Sequence, residues 1–373
     1  MSGRLIRLHD DFAQSPWLDN LRRGWIADGR LAALRDRGIR GLTSNPTIFQ
    51  KAIQGSSDYD EQFTSLVTDG VSPVDAYWEL VLSDIDAALD VFEPVYRESK
   101  GTDGFVSVEV DPSLAHDGPG TLAAARRLHE RIARPNVMIK IPATTEGLPA
   151  IRSMIAEGRS VNVTLIFSLE RYAEVLEAYI CGLEDRLAAG VRDLSTVSSV
   201  GSFFISRVDT EVDRRLDAIG TEDALALRGR AAVAQARMAF SLFRERHDGA
   251  RFRRLAIYGA RVQRPLWAST STKNPAYRDT LYVDELIGPN TVNTLPDETL
   301  EAFDDHGTLG RTIDGDPASA RRDWARIAEI GVNLAEVAAK LESDGVASFR
   351  KSFEELIAAL STKAIAVRDA RAS

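Results

Sequence analysis

Eight short β-rich runs recur along the chain, each followed by a longer stretch with helical spacing, and this alternation constrains the fold more than any other feature. The runs lie near residues 18–20, 41–45, 104–112, 137–142, 161–167, 197–206, 266–272 and 291–295. Strands that alternate with helices imply βαβ units and a parallel sheet. Runs such as VMIKIPA and VNVTLIF are almost continuously apolar, as strands covered on both faces are. Eight such units point to an α/β fold, a single (β/α)8 TIM barrel with additional helices. The main alternative is an open doubly wound sheet. The G-x-G-x-x-G turn that often accompanies such a sheet is missing here.

The helical stretches carry end signals. Ser168 is placed to cap a helix over 168–188, and Thr221 one over 221–247. Asp316 precedes Pro317, a favoured first helical residue, and that helix is expected to reach about Leu341. Residues 316–368 read as helical with a break near Asp344 and Gly345. Two regions exceed what a minimal βα unit needs, about 47–100 and the tail after Pro296. With no Pro/Gly/Ser linker between them, the expectation is one barrel domain over 1–373, with a helical insertion at about 47–100 and C-terminal helices at about 316–368.

Charge and cysteine use narrow the function. The 373 residues carry a net charge of −9, which argues against nucleic acid as a partner, since phosphate backbones need basic surfaces. A small phosphorylated ligand needs only a few local cations. The one cysteine, Cys181, excludes an intrachain disulfide and fits a reducing compartment. Within AYICGLE it reads as a small buried side chain rather than a nucleophile. The N-terminal MSGRLIRLHDDF has no signal-peptide core, and no window reaches the apolar length of a membrane span. A cytoplasmic protein with no membrane partner is expected, as a monomer or homodimer.

In a barrel, working groups gather at the C-terminal ends of the strands. Nearly every run here ends in polar residues: Asp19, Asn45, Glu109, Lys140, Asn162 with Thr164, Ser202 with Arg207, Ser269 with Lys273, and Asn290 with Asn293. Lys140 stands out within VMIKIPAT. Burial disfavours an ammonium, and a neutral amine attacks carbonyls to give a Schiff base. Taken alone, such a lysine is more often an ion-pair partner; its setting among the other strand-end groups favours the nucleophile.

Glu109, in FVSVEVDPS, is a second ionisable group inside a strand. A carboxylate there suits the proton transfers of imine formation, or a plain salt bridge to Lys140; Asp111, on the same face, competes for the role. Asp19, in PWLDNLRR, is an acid/base candidate or a helix cap. Asn162 and Thr164 share a face and either meet substrate hydroxyls, hold a water, or form a buried hydrogen-bonded pair. Arg207 and the hydroxyl-rich WASTSTKNP segment, with Ser269 and Lys273, offer places for a phosphate; the alternative for each base is a solvated surface charge. The five histidines have no ligand-like spacing, and no metal site is expected.

Together LTSNPTIF, VSVEVDP, NVMIKIPAT, VNVTLIFS, SFFISRVD and WASTSTKNP resemble the transaldolase family, in particular its longer bacterial subfamily, across most of the chain. The resemblance implies a metal-free and cofactor-free class I Schiff-base mechanism acting on sugar phosphates. Lys140 would form the Schiff base. Glu109 would act through a water held with Thr164, and Asp19 would handle the C4 hydroxyl proton. Asn45, Asn162 and Ser202 would hold a dihydroxyacetone unit, and Arg207 the phosphate. The family's S-P-F-V-G-R reads here S-F-F-I-S-R, with Phe203 for proline and Ser206 for glycine. The second phosphate arginine is replaced, with Lys273 nearby. The implied reaction moves dihydroxyacetone from sedoheptulose 7-phosphate to glyceraldehyde 3-phosphate, in the pentose phosphate pathway. A fructose 6-phosphate aldolase-type lyase and a non-catalytic sugar-phosphate-binding barrel are the alternatives.

Overall fold

The structure, a computed structural model, describes residues 3–372; residues 1, 2 and 373 of the expected span lie outside the described residues. Eight strands run in chain order: β1 (Gln14–Leu18), β2 (Leu42–Thr43), β3 (Val106–Glu109), β4 (Val137–Pro142), β5 (Val161–Ile166), β6 (Ser199–Phe204), β7 (Arg264–Ala268) and β8 (Thr291–Leu295). Each pairs in parallel with its neighbours, and β8 closes on β1 through five residue pairs from Gln14↔Thr291 to Leu18↔Leu295. That closure excludes the open doubly wound sheet. With seventeen α-helices among the described residues, the fold is a (β/α)8 TIM barrel with additional helices.

The eight expected runs all become strands, two of them offset: β7 is Arg264–Ala268 rather than 266–272. The first strand is Gln14–Leu18 rather than 18–20, so Asp19 follows it. Polar Gln14 and Ser15 and the helix-breaking Pro16 disguise its start. Their partners lie at the bottom of the barrel: Gln14 Nε2 donates to Leu286 O at 2.7 Å, and Ser15 Oγ to Asp103 Oδ2 at 2.6 Å. Asp103 also accepts from Trp17 Nε1, Arg40 Nε and Arg264 Nη2 at 2.9–3.0 Å. Burial alone would raise its pKa, but Arg264 and Arg40 hold it below the usual value. Gly41 lets β2 enter beside this cluster; a Cβ there would stand 2.8 Å from both Phe105 O and the Trp17 ring.

The insertion between β2 and β3 is helical as expected: Pro46–Gln54, Asp60–Thr68 and Pro73–Glu98. Ser168 and Asp316 cap their helices, accepting from the backbone N–H of Arg171 and Ser319. Two helical expectations are corrected. Residues 221–247 divide into Glu222–Leu225 and Ala231–Asp248, because Gly229 turns left-handed (φ 71°) and gives its N–H to Asp213. The C-terminal break is not at Gly345. It falls after Pro317–Glu329, at Gly331 (φ 111°), and Asn333 caps the 39-residue helix Leu334–Ala372, which runs straight through Gly345. That helix packs on Pro46–Gln54, Asp60–Thr68, Pro73–Glu98, Ser206–Ile219 and β5, and so crosses the C-terminal mouth of the barrel. Among the described residues no helix is long and apolar enough to cross a membrane.

Candidate functional site

The parallel register sets the centre of the mouth: Glu109 on β3 pairs with Lys140 on β4, which pairs with Asn162 on β5. Lys140 is only 4% exposed. Its Nζ lies 3.0 Å from Glu109 Oε2, donates to Ser44 O at 3.2 Å, and stands 5.5 Å from the Phe349 ring centre. Glu109 is equally buried, and its pKa is raised by desolvation against the opposing pull of Lys140.

Asp19 stands across the same mouth. Burial raises its pKa, opposed by the charge of Lys140 and by Thr43, whose Oγ1 donates to Asp19 Oδ1 at 3.2 Å. It caps no helix, since the next one, Arg23–Ala27, begins after Arg22 with no side-chain cap. Asp111 leaves the competition with Glu109: its carboxylate accepts from Ser113 N–H at 2.8 Å and caps the turn after β3.

Asn162 has both ends of its amide engaged, Nδ2 donating to Ser107 Oγ at 3.0 Å and Oδ1 accepting from Ser202 Oγ at 2.7 Å. Thr164 differs: its Oγ1 is buried and has no hydrogen-bond partner among the described residues. It lies within the stretch where the β5–β6 register slips, between Val163 and Ile166, and the next residue, Leu165, takes φ 60°. Such bulges re-aim side chains at barrel rims. Asn45 uses its oxygen to cap Pro46–Gln54, accepting from Ile48 N–H at 3.0 Å. Ser269, at φ 57°, brings its Oγ within 3.0 Å of Ser206 Oγ.

Two spaces result, with Asp19 in the lining of both. An inner cavity of about 80 Å³ is lined by Asp19, Asn45, Lys140, Thr164, Ser202, Arg207 and Ser269 among others. Glu109 and Asn162 stand behind that surface, in contact with Lys140 and Ser202 respectively. An outer cavity of about 650 Å³ shares Asp19 and is lined also by Lys51 and Lys273. Lys273 therefore sits outside the inner space, bonded to Ser271 Oγ. Arg207 lies over the Phe204 ring at 5.2 Å and makes no ion pair among the described residues. Burial lowers the pKa of Lys273, and the nearby charge of Arg207 lowers it further.

Some expected placements fail. Asn290 precedes β8 and lies at the opposite end of the barrel, lining a cavity with Ser15 and Arg264. Cys181 is half-buried rather than buried, its Sγ bonded to Glu177 and Arg251 on the outside of the barrel. Other mouth residues were not anticipated: Thr43, Ser44, Lys51 and Phe349. Thr43 and Ser44 belong to the LTSNPTIF segment, but Phe349 comes from the distant C-terminal helix, with only helical periodicity to mark it.

Fold and site together define a (β/α)8 barrel protein whose polar groups converge on a buried lysine of the fourth strand. The profile of the Transaldolase/Fructose-6-phosphate aldolase family matches residues 16–360. The chain is 53% identical over 361 residues to Transaldolase 1 of Streptomyces coelicolor, covering 96% of this chain and 94% of that protein. It is 51% identical over 357 residues to a transaldolase of Thermobifida fusca (95% and 97%) and 51% over 346 residues to one of Mycolicibacterium smegmatis (92% and 93%). The chain belongs to the transaldolase/fructose-6-phosphate aldolase family.

Proposed function

We propose that the protein is a transaldolase, a transferase that carries dihydroxyacetone from sedoheptulose 7-phosphate to glyceraldehyde 3-phosphate and yields erythrose 4-phosphate and fructose 6-phosphate. The observation that carries the reading is the buried Lys140–Glu109 pair, 3.0 Å apart, at the barrel mouth. Half-identity along nearly the whole length of proteins named transaldolase supports it.

In this reading Glu109, whose proton affinity burial raises, takes a proton from Lys140 and frees the amine. The amine adds to the ketone carbon C2 of the donor. Glu109 returns a proton, through a water held at the open hydroxyl of Thr164, as the carbinolamine loses water. The resulting iminium is an electron sink. When C3–C4 breaks, its electrons pass into the C2–N system as an enamine, and Asp19 takes the C4 hydroxyl proton. The aldose phosphate departs, and an acceptor aldehyde reverses the sequence. Asn45 and Ser202 hold the three-carbon unit, Asn162 orients Ser202 from behind, and Ser269 stands beside it. Arg207 and Lys273 attract the phosphate, and neither has a carboxylate ion pair among the described residues.

The same reading places the chain as one domain in the cytoplasm, in the pentose phosphate pathway, as a monomer or homodimer that needs no cofactor. A lyase that releases free dihydroxyacetone is the second reading, since the family spans both activities. A coupled assay with and without acceptor tests the choice. Turnover that depends on an acceptor supports transfer, turnover independent of one supports the lyase, and no turnover leaves a sugar-phosphate-binding barrel.

A further inference from the structure

The C-terminal helix Leu334–Ala372 rests directly on the rim of the barrel. Gly345 makes the approach possible: a Cβ there would be 2.9 Å from Leu165 Cδ2 and 3.7 Å from Arg207 Nη1. One turn further, Phe349 lines the inner cavity with Lys140, Asp19 and Thr164. Its ring is 4% exposed, 5.5 Å from Lys140 Nζ and 6.0 Å from the Arg207 guanidinium carbon. Other side chains hold the helix down. Phe353 stacks edge-on against Tyr77 at 5.2 Å, and Leu356, Leu360 and Ala364 are buried. The Phe349 ring therefore faces the chemistry, while the helix is anchored elsewhere.

A waiting enamine has two fates. It can attack an acceptor aldehyde through its nucleophilic carbon. Alternatively that carbon takes a proton, giving an iminium; water adds to the C=N carbon, and the carbinolamine expels the Lys140 amine to release free dihydroxyacetone. The second fate consumes one water and changes no oxidation state. An apolar ring over the enamine keeps bulk water, the proton source for the first step of that fate, from its carbon, while the water at Thr164 stays available to open the product imine. Resting on the Schiff-base reading of Lys140, we infer that Phe349 is a specificity-determining residue. Carried by the C-terminal helix, it keeps bulk water from the three-carbon enamine on Lys140 and sets the balance at transfer rather than release.

The test compares the full-length wild type with Phe349→Ala and Phe349→Leu. Each preparation is given fructose 6-phosphate, and free dihydroxyacetone without acceptor is measured against transfer to erythrose 4-phosphate. The release-to-transfer ratio does not depend on the amount of active protein. It should rise about tenfold or more in Phe349→Ala and by less in Phe349→Leu, which keeps most of the volume. A ratio unchanged in Phe349→Ala overturns the inference. If that variant does not fold, a ratio unchanged in Phe349→Leu does so. Borohydride trapping on wild-type Lys140 separates the two levels: no adduct means the underlying reading fails, whereas an adduct with unchanged ratios removes only the role of Phe349.

Discussion

Replacing Glu109 with glutamine removes a charge and a base while keeping the volume. Lys140 retains its Ser44 carbonyl at 3.2 Å and its contact with Phe349, so the amine stays in place. Two steps then lose their proton carrier. Loss of the carboxylate 3.0 Å away removes the base that frees the Lys140 amine for addition. Loss of proton transfer slows dehydration of the carbinolamine, and positioned acid–base groups typically contribute about 10²–10⁴-fold. That is about 3–5 kcal/mol of barrier. Both effects act in the same direction. The expected result is imine formation slowed by about 10²–10⁴-fold. The assay is a single-turnover reaction quenched with borohydride at timed intervals, with the Lys140 adduct measured by mass. The same site fixes a pH signature. Burial raises the pKa of both Glu109 and Asp19, so protonation should extinguish them above the usual carboxylate range near 4. The acid limb of kcat/KM should therefore lie above that range. A Glu109→Gln rate within a few-fold of wild type would refute the assignment and leave Asp19 as the shuttle.

Further expectations concern phosphate selection and the scaffold. Lys273→Ala should raise KM for phosphorylated substrates about tenfold, as expected for loss of a charged hydrogen bond, and spare unphosphorylated ones; equal effects on both would remove its phosphate role. Asp103→Asn strips Arg40 and Arg264 of a buried partner and should cost about 3–5 kcal/mol at neutral pH in denaturant unfolding. Because the folded pKa of Asp103 is depressed, its contribution is present above the unfolded value and lost as pH falls through the folded one; a cost below about 1 kcal/mol contradicts the ion-pair account. Asp209 runs the other way: burial pushes its carboxyl up to about 7, although Ala232 N–H and Tyr282 OH bond it. A raised carboxyl stabilises the fold below its unfolded pKa near 4 and loses that contribution as pH rises through 7. Asp209→Asn should accordingly flatten the fall in stability between about pH 4 and 7; an unchanged slope would show that the group does not titrate there.

The barrel was legible because doubly covered strands advertise themselves, and VMIKIPA and VNVTLIF can hardly be anything else. β1 was misplaced because its outward chemistry is polar, aimed at Asp103 and Leu286 rather than at an apolar layer. Gly345 misled for a different reason. Glycine weakens a helix, which argues for a break, yet here it sits mid-helix because only a missing side chain lets the backbone meet Leu165. Gly331 and Gly229 carry the positive φ values found between helices, and sequence alone does not tell these uses apart. At the site, residues on strands were found by alternation, as with Asn162 and Thr164. Phe349 was not, because its place over Lys140 depends on where a distant helix docks. The unlike environments of Asp19 and Asp111 were equally out of reach, since one sits in the mouth and the other turns away to cap Ser113.

The measurement that bears most directly on the account is borohydride trapping with fructose 6-phosphate in the absence of acceptor, followed by peptide mass mapping of wild type and Lys140→Ala. A reduced three-carbon adduct on the peptide holding Lys140, lost in a Lys140→Ala variant that folds but does not turn over, is the predicted result. An active protein that yields no adduct on Lys140, or a Lys140→Ala variant that retains substantial turnover, would contradict the Schiff-base mechanism at its centre.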